Sequence, residues 1–161
     1  PGTFDADRLI FNNGTLNVTS SLNLSGNIGV TFAGANANFD INSGITLAVD
    51  GITTGTGAMT KLGSGTLTLS AVNTYSATTT ITAGKLSISA DSGLGSAPGS
   101  PSAGHLTLNG GTLESTADFT LNSNRGIALG SSNGIIDVNS GTTLTYGGIM
   151  VGAGTLTKLD S

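Results

Sequence analysis

Residues 55–86 decide the fold, and they read GTGAMTKLGSGTLTLSAVNTYSATTTITAGKL. Within them the apolar Leu67 and Leu69 alternate with the polar Thr66 and Thr68, which is the period of a half-buried strand. Glycines and an Asn-Thr pair divide the stretch into short pieces, as turn residues do. No part of the stretch has helical spacing. It therefore predicts short strands joined by turns.

The order of its motifs resembles the autotransporter-associated β-strand repeat of passenger domains in type V secreted bacterial proteins. The positions that carry the resemblance are Thr60-Lys61, Gly65 to Leu69, Asn73-Thr74-Tyr75, Thr79-Thr80-Ile81, Gly84 and Leu86. Met59 stands where the family has Leu, and Ala71 and Ala77 stand where it has Gly. The resemblance implies a right-handed parallel β-helix at the bacterial surface, and it implies no reaction.

Composition narrows the class of protein. The 161 residues include 26 glycines, no cysteine and only 9% charged side chains, which is typical of a membrane protein or a structural array. No apolar run is long enough to span a bilayer, and the first residues lack the pattern of a signal peptide. A hydrophobic content of 37% argues against disorder. A net charge of −4 argues against nucleic acid as a partner.

An internal repeat spans most of the chain. Residues 9–64 align without a gap with residues 106–161, at a constant offset of 97, and about 24 of the 56 pairs are identical. Paired differences exchange one apolar residue for another, as Phe39 and Ile136 do, which is what an interior wall requires. We expect residues 1–161 to be a single solenoid segment cut from a longer repeat array.

Strand-like pieces recur every six to ten residues between Gly- and Asn-rich turns, and no helical pattern separates them. Three strands and three turns make a coil of about 20 residues, so we expect an all-β, parallel β-solenoid of about eight coils. The offset of 97 residues then equals about five coils, which places Leu16 and Leu113 on one inward ladder. A β-sandwich, or a double sandwich made of the two repeats, is the alternative.

Residues 90–104 break this rhythm, because they carry two of the three prolines and proline cannot donate to a strand ladder. We predict a loop that leaves the rod between Ser89 and His105. Loops on rigid scaffolds often bind ligands, so the loop is either a recognition element or a tolerated bulge between coils.

The sequence shows no catalytic, cofactor-binding or metal site, so we expect a protein that is not an enzyme. The acidic residues are spread out, although folding could still bring acids onto neighbouring coils as in glycan-active β-helix enzymes. Asp40 and Asp137 occupy equivalent repeat positions, which favours a structural role as turn caps. His105, the only histidine, is expected at the surface, where the loop rejoins the rod.

Two further patterns recur in the sequence. Lys61 and Lys158 sit at matching repeat positions, and the alternatives are that they neutralise a carboxylate on an adjacent coil or interrupt an exposed strand, where charges discourage edge pairing. Thr-x-Thr pairs begin at Thr66, Thr143 and Thr155, as in the flat arrays of ice-binding solenoids. Their irregular spacing favours the simpler explanation that threonine forms strands well.

These observations predict a β-helical stalk or scaffold of a surface-exposed passenger domain that supports its own export. The alternative is an adhesin, in which one face or the loop 90–104 binds a host or matrix ligand. An ice-binding solenoid and a glycan-active enzyme are more distant alternatives. The expected partners are neighbouring coils of a longer chain, and copies stacked end to end are a further possibility. The expected location is the outside of a bacterium, with the outer-membrane anchor in another part of the protein.

Overall fold

The computed structural model describes residues 5–160, so residues 1–4 and 161 of the predicted segment lie outside the description. Alternating sequences and glycine-rich turns produce short strands throughout. In chain order these are β1 Asp5–Phe11, β2 Thr15–Val18, β3 Leu22–Leu24, β4 Ile28–Phe32, β5 Asn36–Ile41, β6 Thr46–Val49, β7 Thr53–Gly55, β8 Ala58–Leu62, β9 Thr66–Leu69, β10 Thr79–Ile81, β11 Lys85–Ile88, β12 Ser102–Leu108, β13 Thr112–Ser115, β14 Phe119–Leu121, β15 Arg125–Leu129, β16 Gly134–Val138, β17 Leu144–Tyr146, β18 Met150–Gly152 and β19 Leu156–Asp160. A 3-10 helix, Asp91–Leu94, is the one helical element among these residues.

The strands wind into a parallel β-solenoid with three sides, as predicted. Along each ladder, strands pair in parallel with the strand one coil before and the strand one coil after. The second side contains β2, β5, β8, β10, β12, β15 and β18, and the third side contains β3, β6, β9, β11, β13, β16 and β19. This parallel pairing excludes the sandwich alternatives. The right-handed sense of winding stays a prediction.

The first side is the irregular one. It contains β1, β4 and β7, and then, after a gap, the pair of β14 and β17. Between these sets residues 72–76 and the 3-10 helix Asp91–Leu94 fill the place of a strand. We number the coils from the one that contains β1, β2 and β3. The first side therefore lacks a continuous ladder in coils four and five, which is where the sequence pattern also changes.

The solenoid has about seven coils, slightly fewer than the prediction of about eight. Coils vary in length, because the turns between strands differ. The coil that separates the ladder partners Leu67 and Leu86 is short, and the coil that separates Ile81 and Leu108 is markedly longer. The longer coils reduce the number that the chain can form, because the prediction assumed a uniform coil of about 20 residues.

The 97-residue repeat does not return to the same side of the solenoid, and this corrects a second prediction. Leu16 lies in β2 on the second side, whereas Leu113 lies in β13 on the third side. The repeat offset therefore spans four coils and one further side. Each repeat copy is turned by one side relative to the copy before it.

Inward side chains stack in ladders that form one core along the solenoid. The ladder on the third side runs Leu22, Leu47, Leu67, Leu86, Leu113 and Ile136. Aromatic rings fill the core between coils one and four, where the centroids of the Phe32 and Tyr75 rings lie 5.3 Å apart. Glycine permits the tight corners: Gly63 has a φ of 67°, and a Cβ there would lie 2.3 Å from the carbonyl oxygen of Ile41.

Candidate functional site

Residues 90–104, the predicted loop, divide into a packed part and an exposed part. The 3-10 helix Asp91–Leu94 closes the first side of coil five, and Leu94 is buried in the core. Strand β12 begins at Ser102. Between these elements Ser96, Gly99 and Ser100 are exposed. Residues 96–101, which we call the loop tip, therefore form the main exposed stretch, and Ala103 in β12 is exposed as well.

Arg125 anchors the packed part of this segment from the following coil. Its side chain is only 1% exposed. Nε lies 2.8 Å from Oδ1 of Asp91, and Nη2 lies 3.2 Å from Oδ2, so the two groups form a bidentate pair. Nη1 also donates to the carbonyl oxygen of Leu94 at 2.9 Å, and Nη2 donates to that of Gly95. The guanidinium thus satisfies backbone carbonyls that have no strand partner.

Two further contacts tie the loop tip to the coils on either side. The backbone N–H of Ser96 donates to the carbonyl oxygen of Tyr75 in coil four, at 2.8 Å. The side-chain amide of Asn124, next to Arg125, donates to the carbonyl oxygen of Pro98 at 2.9 Å. The tip is therefore held in one place by coils four and six. It carries serine, glycine, proline and alanine, and no charged side chain.

His105 is buried, which contradicts the prediction that it lies at the surface. Its exposed fraction is 5%, because β12 brings it beneath the chain of coil four and next to Arg125. Burial, together with the positive charge of Arg125, lowers the pKa of the imidazole. The sequence places His105 next to a loop, and the bulge at the start of β12 turns it inward.

The third side carries a cluster of charges that was not apparent in the sequence. The ammonium of Lys85 in coil four lies 2.5 Å from Oε1 of Glu114 in coil five and 3.3 Å from Oδ2 of Asp137 in coil six. The hydrogen bond with Glu114 raises the pKa of Lys85. Strand register could have revealed the cluster, because Ser87, Glu114 and Asp137 are ladder partners.

Chemically, this cluster is an ion-pair ladder. One ammonium contacts one oxygen of each carboxylate, and the other oxygen of Asp137, Oδ1, is buried without a hydrogen-bond partner among the described residues. Asp137 lies within β16, and Asp40 lies within β5 and accepts a hydrogen bond from Asn17 at 3.2 Å. The prediction that Asp40 and Asp137 cap turns was therefore wrong, because both link neighbouring coils through side chains.

Lys61 points into the core, which contradicts the alternative that it interrupts an exposed strand. It is the ladder partner of Phe39 and Ile81, and its exposed fraction is 0%. Its ammonium donates to the carbonyl oxygens of Leu62 at 2.7 Å, Gly63 at 2.8 Å and Ala83 at 3.3 Å. Burial lowers its pKa to about 8.

Lys158 has the same inward register as Lys61, because it pairs with the core residue Ile136. Its side chain is exposed and contacts Asp160, since it lies in the last described coil. Lys158 is therefore exposed, as expected of a charge on an exposed strand. Its strand position, however, is one that faces inward in the other coils.

The Thr-x-Thr pairs do not stack into a flat array. Thr66 and Thr68 lie on the third side of coil three, where the next rung presents Lys85 and Ser87. The pair that begins at Thr143 runs into β17 on the first side of coil seven. These pairs therefore do not build the surface that an ice-binding solenoid needs.

Residues 5–160 contain neither a metal-binding cluster nor a membrane-spanning helix. Within this range no group of three or more His, Cys, Asp or Glu side chains could hold a metal ion. No helix in the same range reaches the length and hydropathy that crossing a bilayer requires.

Comparison with known proteins gives the family context. The model of the passenger-associated-transport-repeat family matches residues 59–88. The chain is also 38% identical over 111 residues to the "Adhesin BmaC autotransporter" of Brucella suis biovar 1 (strain 1330), a stretch that covers 69% of this chain and 3% of that protein. No solved structure matches significantly. The matched residues 59–88 form coil three from β8 onwards and most of coil four, and they include Lys61, Asn73 and Tyr75. At residues 59–88 the chain therefore carries a passenger-associated transport repeat, which is built into a parallel β-solenoid.

Proposed function

We propose that this chain is a stalk or scaffold segment of a passenger domain, and that its coils support export and surface display. The observation that carries the proposal is the stack of about seven parallel coils, continuous along its second and third sides, with the transport repeat near its centre. The chain spans about 3% of the length of the curated relative that it matches, so the role of the whole protein is part of the proposal.

The export mechanism follows from the way that the coils pack. Each coil packs mainly against its neighbours, so a coil that emerges from the membrane can close on the coil outside it. Closing a coil buries several inward side chains, such as Leu67 and Leu86, each contributing about 1.5–3 kcal/mol. Because a closed coil cannot pass back through a narrow pore, successive closures give the movement its direction.

An inward charge should therefore slow export. In the exported protein that carries this chain, we expect Leu67→Asp to block the stacking of coil three and delay the appearance of the upstream part outside the cell. The readout is the time course of protease accessibility on intact bacteria. The matched control is Thr68→Asp, one residue along on the outward face of β9. Equal export of both variants and the unchanged protein would refute the mechanism.

Adhesion is the second candidate, because the relative is named an adhesin. The loop tip offers a fixed, uncharged surface, and the flat outward sides of the solenoid offer others. Replacing residues 98–101 with Gly-Ser-Gly-Ser alters the tip and keeps the Arg125 contacts to residues 91–96. If the tip recognises a host or matrix ligand, binding on a glycan array or to cells should fall. The control is Ser131→Gly in an exposed turn of coil six, and unchanged binding after both changes excludes the tip.

Location and lack of enzymatic activity also belong to the proposal. The similarity to an autotransporter adhesin supports a surface or secreted location, and we propose that the outer-membrane anchor lies in another part of the protein. We also propose a non-catalytic role, supported by the engaged carboxylates of Glu114 and Asp137. Turnover of polygalacturonate by the purified chain would contradict that role. Further coils and end-to-end copies are the partners that we propose.

A further inference from the structure

His105 lies where three parts of the solenoid meet. Strand β12 places it between residues 73–76 of coil four and β15 of coil six. Its ring makes a hydrogen bond with the backbone of Ser76. Its Nε2 is buried and has no hydrogen-bond partner among the described residues. The ring therefore fits its site in the neutral form, with one nitrogen satisfied and the other facing no donor or acceptor.

The charges around the ring oppose its protonation. Arg125 of β15 is positive, and Asp91 of the 3-10 helix is negative and already bound by Arg125 through two hydrogen bonds. Tyr75 of coil four, which these two charges also reach, is a neutral phenol whose pKa burial raises to about 12. A proton on Nε2 would create a buried N–H with no acceptor and a second positive charge beside the guanidinium.

Arg125 makes the largest set of side-chain contacts to residues 91–96, which Asn73 and the backbone of Tyr75 also bind. Its guanidinium donates to carbonyl oxygens of Asp91, Leu94, Gly95 and Ser96, as well as to the Asp91 carboxylate. If the guanidinium moves away from a charged imidazole, these bonds break together. Residues 91–96 have no strand ladder to replace them, because the first side is irregular at this level.

We propose that His105 is an acid-sensitive latch, and that its protonation next to Arg125 releases residues 91–96 and the loop tip from the solenoid. Linkage gives the direction of the pH dependence. Because the imidazole binds a proton more readily in the open form than in the closed form, lowering the pH favours opening. Opening is therefore expected below the ordinary imidazole pKa of about 6.5. The latch goes beyond the proposed function and does not depend on what the tip binds.

The chain has one histidine, so its titration can be followed without ambiguity. The experiment records the ring resonances of the 161-residue chain by NMR from pH 7.5 to 4.5. Amide hydrogen exchange in the same range is converted to protection factors, which correct for the intrinsic pH dependence of exchange. We expect the protection factors of Gly93, Gly95 and Ser96 to fall as the pH is lowered. The total fall should be about tenfold for each pH unit by which the His105 pKa in the closed form lies below its ordinary value. The amides of Leu67 and Leu86 should stay protected.

The variant His105→Gln cannot gain the charge, so we expect the protection of residues 91–96 to become independent of pH. Loss of protection in this variant equal to that of the unchanged chain would overturn the latch, because carboxylates would then be responsible. Should the variant fold poorly, the unchanged chain still decides, since the loss at residues 91–96 must share its midpoint with the ring titration. Constant protection down to pH 4.5, or equal loss at Leu67, would also overturn it.

Discussion

The side chain of Lys61 occupies a core position that Phe39 and Ile81 fill in the coils before and after it. Burial of an ammonium opposes folding, and here three carbonyl oxygens compensate for the lost water. Two of these carbonyls belong to the corner after β8, and the third, that of Ala83, belongs to the next coil. Lys61 therefore links two coils at a corner where the backbone makes no ladder.

Two variants of Lys61 should separate the effect of its side-chain volume on stability from the effect of its charge. Lys61→Met keeps most of the volume and removes the buried charge, so we expect its unfolding free energy at pH 7 to lie within about 2 kcal/mol of the unchanged chain. Lys61→Ala also leaves a cavity, and we expect a loss of about 2–4 kcal/mol. Denaturant unfolding monitored by circular dichroism measures both changes.

The charge of Lys61 also predicts a pH dependence. Its pKa is about 8 in the folded chain and about 10.4 when unfolded, so the unfolded chain binds more protons between these values. Stability from this residue therefore rises with pH from about 8 to 10.4. Lys85 and Tyr75 titrate at alkaline pH as well, but both are unchanged in Lys61→Met. The unchanged chain should gain stability relative to that variant as the pH rises, and a constant difference would show that Lys61 is solvated.

At the scale of an element, residues 72–76 replace a strand with side-chain hydrogen bonds. The backbone N–H of Thr53 donates to Oδ1 of Asn73 at 2.8 Å, and the amide of Asn73 donates to the carbonyl oxygen of Gly93 at 3.0 Å. These two groups lie one coil before and one coil after Asn73. The buried amide thus continues the first side through a level that has no ladder, beside backbone bonds such as that from the Thr74 N–H to the carbonyl oxygen of Thr53 at 2.8 Å.

Asn73→Ala should therefore lower the free energy of unfolding more than the loss of a few atoms usually does. It leaves a buried donor on Thr53 and a buried acceptor on Gly93, each worth about 1–3 kcal/mol when unpaired. We expect the unfolding free energy to fall by about 2–4 kcal/mol. The control is Thr74→Ala at the exposed neighbouring position, which should stay within about 0.5 kcal/mol. A cost below about 1 kcal/mol for Asn73→Ala would mean that water replaces the amide.

Local sequence pattern predicted the elements well and the irregular side poorly. Short strands such as Thr15–Val18 and Ala58–Leu62 recur between glycine-rich turns as the pattern predicts, because alternation and glycine turns act within a few residues. Asn73 was assigned to a turn, since its role depends on groups one coil away on either side. The contacts of His105 and Arg125 and the ion pairs of Lys85 were not predicted for the same reason, because they join residues of different coils.

At the scale of the whole molecule, the repeat and the coil are separate periods. The repeat offset covers thirteen sides, so Leu16 and Leu113 have equivalent local surroundings on different sides. The sequence could not reveal this, because coil length varies from one coil to the next and only strand register fixes the count. A feature that recurred in every copy would appear on successive sides of the solenoid.

The stacking of coils predicts a gradient of local stability along the 161-residue chain. A central coil packs against two neighbours and an end coil against one, so Leu86 is fully buried while Leu22 is about half exposed. Amide protection should therefore be highest in β9, β11 and β13 and lowest near the two ends. Native-state hydrogen exchange, read strand by strand, measures this gradient directly.

Two matched truncations on one ladder test whether the coils act as nearest neighbours. Leu86→Ala removes packing between coils three and five, and we expect the amides of β9, β11 and β13 to lose about 3 kcal/mol of protection. Leu22→Ala acts on an end coil, where its half-exposed side chain should cost about 1 kcal/mol, confined to the first two coils. Nearest-neighbour stacking requires this difference, because a defect in an end coil has no coil on its far side to weaken. Equal losses at every strand in both variants would instead show that the solenoid unfolds as one unit, and closure of coils one by one during export would then lose its physical basis.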